Sequence, residues 1–205
     1  MVDKAIAITG YKGGVGKTIT AIHVASYFAT RNRNPLQVLL VDGDANRSAK
    51  KWGASKLLPF QVGSEKEAVR MIDGINLLII DTAARPKSED LEEIASSADL
   101  IILPTKTGGI SLNPTLDTYY DLSKACHKKM LICEVPSYPA KDGDELYLTL
   151  KKNGIEVFDS RIRRTKAFDL ACEQGIYVKQ VNHRGKSAWH DYVDLGKEIE
   201  KILEI

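Results

Sequence analysis

Near the start of the chain, the stretch Gly10-Tyr11-Lys12-Gly13-Gly14-Val15-Gly16-Lys17-Thr18 sets glycines, two lysines and a threonine side by side. Gly13, Gly14 and Gly16 let the backbone turn so that successive N–H groups, that of Val15 among them, point at one phosphate. Lys17 then reaches the β- and γ-phosphates, and Thr18 supplies a hydroxyl to Mg²⁺. The N-terminus of a helix directly after the loop adds a positive dipole. The strict phosphate-loop pattern, GxxxxGK[ST], would place a glycine where this chain has Tyr11. The match is to the deviant form KGGxGK[ST], headed by a second lysine, Lys12. Without its flanks the same stretch also reads as a glycine-rich turn between a strand and a helix. Downstream, Asp81 ends the apolar run Leu78-Ile79-Ile80, at the strand end where ligands gather in open α/β sheets, and can hold Mg²⁺ through water opposite Thr18. Asp42 and Asp44 end another such run. By themselves they equally suit a strand-end turn.

These groups need a frame, and the chain supplies one. Apolar, β-branched runs recur at residues 5–9, 38–41, 77–80, 100–103 and 130–135. They are near-continuous rather than alternating, as strands of a parallel sheet covered on both faces must be. Between them lie helix-compatible stretches. Residues 18–30 place Ile22, Ala25, Phe28 and Ala29 on one face. Ser88 can cap a helix that opens with Glu89 and Asp90. Residues 141–153 stop before Gly154, and residues 191–205 close the chain. The pattern predicts an α/β fold with a doubly wound, mostly parallel twisted sheet flanked by helices, as a single domain over 1–205. With 205 residues, 43% hydrophobic and 27% charged, the chain can bury a core and is not disordered. No apolar run approaches the ~20 residues that span a bilayer. The N-terminus does not read as a signal peptide. Cys126, Cys133 and Cys172 are odd in number and contain no CxxC, which argues against a disulfide framework or a zinc site. The expectation is a soluble cytoplasmic protein.

The loop and the motifs after it resemble the deviant Walker-A ATPases of the ParA/MinD type, a P-loop NTPase family, over nearly the whole length. Val41-Asp42-Gly43-Asp44-Ala45-Asn46 is similar to the family's first switch, VDxDPQ, with Ala45 and Asn46 in place of Pro and Gln. Leu78-Ile79-Ile80-Asp81-Thr82-Ala83-Ala84 resembles its Walker-B strand and second switch. Ala98-Asp99-Leu100-Ile101-Ile102-Leu103-Pro104 is similar to the family's next segment, ADxxxxP. The resemblance implies Mg²⁺-dependent hydrolysis of ATP, with Asp44 positioning the attacking water and Asp42 supporting it. It also implies an ATP-dependent homodimer in which Lys12 crosses the interface to the other copy's phosphates. A solvated surface lysine is the plainer reading of Lys12.

Charge is segregated. Between residues 161 and 186 the bases Arg161, Arg163, Arg164, Lys166, Lys179, Arg184 and Lys186 face only Asp169 and Glu173, although the whole chain carries +2. Small ParA-like proteins bind nonspecific DNA through this region, so Arg161, Arg164, Lys166, Arg184 and Lys186 are the candidate phosphate contacts. A solvated basic face is the alternative. Val181-Asn182-His183-Arg184 lies where such proteins contact the base, or is simply a loop joining two helices. The resemblance implies partition or positioning: nucleoid association, and hydrolysis stimulated by a ParB-like or adaptor protein, with a plasmid or an assembly such as a carboxysome as cargo. A MinD-like membrane regulator is the nearest alternative, but acids outnumber bases among residues 193–205, which disfavours anionic lipid. An ATP-dependent ligase of the dethiobiotin synthetase type would need its own polar substrate constellation, and an iron-protein-like reductase would need interfacial cysteines. The sequence displays neither.

Overall fold

Each apolar run can bury both of its faces, and the runs pair side by side for that reason. The computed structural model describes residues 2–123, 125, 127–136 and 141–205, with the side chains of residues 109–111 outside the description. Cys126 therefore lies outside the described residues. The strands are β1 (Lys4–Ile8), β2 (Val38–Asp42), β3 (Gln61–Ser64), β4 (Leu77–Asp81), β5 (Leu100–Lys106), β6 (Lys128–Val135) and β7 (Val157–Arg163). They form one seven-stranded sheet in the order β3-β2-β4-β1-β5-β6-β7. Every pairing is parallel, so the sheet expected as mostly parallel is wholly so.

Among the described residues, six α-helices connect successive strands, α1 (Lys17–Thr30), α2 (Ser48–Gly53), α3 (Glu65–Met71), α4 (Ser88–Ser97), α5 (Gly109–Asp121) and α6 (Lys141–Lys152), and two more follow β7, α7 (Ala167–Gln174) and α8 (His183–Leu203). Side chains alternate across a strand, so each apolar run feeds two layers. Ile6, Ile8, Leu40, Ile79, Ile102 and Leu131 join α1, α7 and α8 in one core. Ala7, Ile101, Leu103, Met130 and Ile132 join α4, α5 and α6 in the other, and Leu39 and Val41 pack under α3.

Three local expectations change. Residues Ala21 to Phe28 of α1 are all buried, not one face of them, because α8 lies over the side away from the sheet. The N-cap of α4 is Lys87 rather than Ser88; the Asp90 carboxylate accepts the Lys87 amide at 2.9 Å. Strands β3 and β7 were invisible in the apolar pattern because edge strands, with one side and one rim open, tolerate Gln61 or Arg161 and Arg163.

The layer between sheet and α8 holds a fully buried histidine. His23 stacks on Tyr192 at 4.8 Å, and its Nε2 accepts the Val178 amide at 3.1 Å. That leaves Nδ1–H to donate to the Ile19 carbonyl at 2.7 Å. Burial pushes its pKa down to about 4, with the Ile19 bond opposing. The unfolded chain therefore binds a proton near pH 6.5 that the folded chain refuses until about pH 4. Stability from His23 is present above about pH 6.5 and is lost as pH falls through that window, by about 3 kcal/mol in all. In urea titrations the stability gap between the parent and His23→Gln should close as pH is lowered from 7 to 4. A gap independent of pH would mean that His23 takes up its proton in the fold as readily as in the unfolded chain.

Candidate nucleotide site

The C-terminal ends of β1, β2 and β4 bring the loop and the three acids together. Gly14 (φ +71°) and Gly16 (φ +100°) sit in the left-handed region that side chains avoid, and Gly16 caps α1. Val15 is buried. Lys17 is only 7% exposed. Its ammonium folds back into the loop and donates to the carbonyls of Gly10 at 3.3 Å and Lys12 at 3.1 Å. Burial lowers its pKa, while the charges of Asp81 and Asp44 oppose that. A desolvated ammonium held by two carbonyls is ready to exchange them for phosphate oxygens.

Beside it, the Thr18 hydroxyl donates to Asp81 Oδ2 at 2.7 Å. Asp81 is 1% exposed, and its Oδ1 is buried without a hydrogen-bond donor among the described residues. Burial pushes this carboxyl up to about 7; Asp42 and Asp44 push the same way, and the Thr18 bond and Lys17 charge oppose. An orphaned, buried carboxylate oxygen next to a threonine hydroxyl is a hard-oxygen donor set that suits Mg²⁺. Among the described residues no group of three or more His, Cys, Asp or Glu could enclose a metal. A cation here would complete its shell with phosphate and water oxygens.

Asp42 stands level with Asp81 on the neighbouring strand and is fully buried. Both its oxygens are occupied: Oδ1 accepts the Asp44 amide at 3.0 Å and Oδ2 the Lys50 amide at 2.9 Å. Arg47, in the left-handed region at φ +53°, bonds the Asp42 carbonyl. Asp42 is thus a fastener of the switch turn and of α2. Asp44 is half-buried, accepts the Asn46 amide at 2.8 Å, and acts electrostatically on both Lys17 and Asp81. The Lys12 side chain is half-buried, and among the described residues its ammonium has no acidic partner.

The basic window does not form one face. Arg161 bonds Asp144 and lies over the Tyr147 ring at 4.8 Å; Arg163 makes a two-pronged pair with Asp191 at 2.8 and 2.6 Å. Arg164 and Lys166 line a cavity of about 390 Å³ that opens beside Gly16 and Ile19 and has Cys133 and Asp169 in its wall. Lys186 lines a different cavity, of about 580 Å³, with Arg31, Arg33 and Lys179. Arg184 is exposed in the first turn of α8. In the stretch 181–184, the Asn182 side-chain oxygen caps α8, accepting the Arg184 and Gly185 amides at 2.9 and 3.0 Å. Arg33, from the loop after α1, is remote in sequence from the basic window, and only the packing of α1 on α8 brings it beside Lys186.

A family model described as the CobQ/CobB/MinD/ParA nucleotide binding domain matches residues 6–178, from β1 through the loop and both switches to the turn before α8. The chain belongs to that family. Among curated relatives it is 30% identical to a maintenance of carboxysome distribution protein A from Gloeobacter kilaueensis, over 97% of this chain and 94% of the relative. Among solved structures, an ATP complex of a variant McdA from Cyanothece superposes with a TM-score of 0.72 at 13% identity, covering 100% of this chain and 98% of that one. The MinC:MinD cell division complex from Aquifex aeolicus gives 0.73 at 15% identity, covering 97% and 96%. At such identities the structures bear on the fold, which is the α/β P-loop NTPase fold of this family.

Proposed function

We propose that this chain is a positioning ATPase that pairs with a second copy on binding ATP, holds nonspecific DNA in that state, and lets go after hydrolysis stimulated by an adaptor of the ParB-like kind. The observation that carries the reading is the bonded pair Thr18–Asp81, with Asp81 Oδ1 left over, next to the captive ammonium of Lys17. The named role of the 30% identical relative favours a protein assembly of the carboxysome kind as cargo over a plasmid.

In this reading Thr18 and Asp81 hold Mg²⁺, which supplies charge neutralisation at the β- and γ-phosphates. The amides of residues 12–18 cradle the phosphates, and Lys17 trades two carbonyls for phosphate oxygens. Asp44 aligns the attacking water, and Asp42 holds Asp44 by its amide. The nucleoside lies in the cavity beside Gly16, which moves Arg164 and Lys166 from the DNA face to the nucleotide's flank. DNA phosphates meet Arg33, Lys179 and Lys186 at the rim of the larger cavity; Arg31 there is already spent on Glu200 at 2.9 Å. Membrane attachment through α8 has little support, since Trp189, Tyr192, Leu195, Ile199 and Leu203 are buried against the core. Among the described residues no helix is long and apolar enough to cross a membrane.

The test is fluorescence anisotropy on a nonspecific duplex with ATP, ADP and no nucleotide. Binding is expected with ATP alone, with an affinity that falls steeply with salt. Arg33→Ala with Lys186→Ala should weaken binding to every sequence and flatten the log–log salt slope by about two. An unchanged slope, with the loss appearing instead in Arg164→Ala with Lys166→Ala, would return the DNA face to the loop before α7.

A further inference from the structure

Tyr11, the residue that breaks the strict loop pattern, faces α5. Its amide donates to Thr118 Oγ1 at 3.1 Å, and its hydroxyl donates to Asp121 Oδ2 at 2.7 Å. Between those two points its half-buried ring packs on the core cluster that contains Tyr119 and Leu122. Thr118 is itself fixed, because its hydroxyl donates to the Pro114 carbonyl at 2.9 Å. Thr118 and Asp121 stand three residues apart, on one stripe of the helix, so the whole length of the tyrosine is clamped against α5. Burial, then the Asp121 carboxylate, pushes the hydroxyl up to about 12, which keeps it a donor at any working pH. Asp117 is the other charge facing it.

The clamp restrains the next residues of the loop. The loop's tail, from Gly16 onwards, is anchored to α1 on one side of the sheet, whereas Tyr11 anchors its head to α5 on the other. Lys12 comes next in the chain, and its carbonyl carries the Lys17 ammonium. A residue whose predecessor is fixed at both its amide and its side chain has few directions left in which to leave the loop.

We propose that Tyr11 is a positioning residue: clamped to Thr118 and Asp121, it directs Lys12 away from its own loop towards a second copy and so sets the strength of ATP-dependent pairing. This rests on Lys12 being the residue that crosses to that copy. A glycine or a phenylalanine at position 11 could complete a phosphate loop but could not hold Asp121.

The experiment measures two constants on Tyr11→Phe, Asp121→Ala and the double variant: affinity for a fluorescent ATP analogue, and the dimer dissociation constant by sedimentation in saturating ATPγS. Each single variant is expected to bind the nucleotide within twofold of the parent and to pair about three- to tenfold more weakly. The double variant should be no worse than either single one, because both remove the same bond. Parental pairing in both single variants overturns the inference. So do losses that multiply in the double variant, or a matching loss of nucleotide affinity, which would mark general loop collapse. Lys12→Ala is measured alongside. If it pairs normally, the functional reading of Lys12 fails first; if it cannot pair while Tyr11→Phe can, only the clamp fails.

Discussion

Lys17→Ala is expected to weaken ATP binding by about a hundredfold or more, whereas Lys12→Ala leaves nucleotide affinity within about threefold and removes ATP-dependent pairing. The two lysines lie five residues apart on one loop, and their surroundings separate them. The Lys17 ammonium is buried and held at the centre of the loop by the Gly10 and Lys12 carbonyls, where incoming phosphates must pass. Its charge also offsets the burial of Asp81, so its loss leaves that carboxylate harder to ionise and weakens it as the proposed Mg²⁺ ligand. Two contributions to binding are lost together. The Lys12 side chain is half-buried, and among the described residues its charge has no acidic partner, so its removal breaks no ion pair among them. Isothermal titration with ATP, paired with sedimentation, reads both constants. Equal loss of ATP affinity in the two variants would mean that Lys12 serves the nucleotide of its own chain.

Asp44→Ala should slow hydrolysis by about two orders of magnitude or more while the ATP-bound dimer accumulates. Phosphoryl transfer asks for alignment and charge placement, and Asp44 is the acid near the loop whose carboxylate is not consumed by burial or by two amides. Asp42 differs. Both of its oxygens bond the backbone of the switch and of α2, so Asp42→Ala should lower stability as well as turnover. Single-turnover hydrolysis and thermal melts on the two variants distinguish these roles. Parental hydrolysis in Asp44→Ala would remove it from the reaction.

The candidate site was legible where its residues are close in sequence. A phosphate loop of nine consecutive residues carries its own geometry, because glycine torsions and helix capping are local. The central strands were legible too, since burial on both faces demands an unbroken apolar run whatever lies around it. Edge strands β3 and β7 carry no such demand, and the short helices α2 and α3 hold too few residues to show a period. Charge was where one-dimensional reading failed. Seven bases within one window looked like a single surface, yet β7 turns Arg161 and Arg163 towards Asp144 and Asp191, the loop before α7 turns Arg164 and Lys166 towards the phosphate loop, and α8 carries Lys186 to Arg33.

The sequence by itself therefore determined the chemistry on offer, the phosphate loop and its acids, and the layered parallel sheet that presents them, because those depend on local torsions and on periodic burial. Only the tertiary structure decided which charges are spent, that Asp42 fastens while Asp44 stays available, that Asp81 keeps one oxygen unsatisfied, and that Tyr11 belongs to α5. Each of those depends on groups far apart in the chain meeting at a few ångströms, and no spacing along the chain encodes that distance.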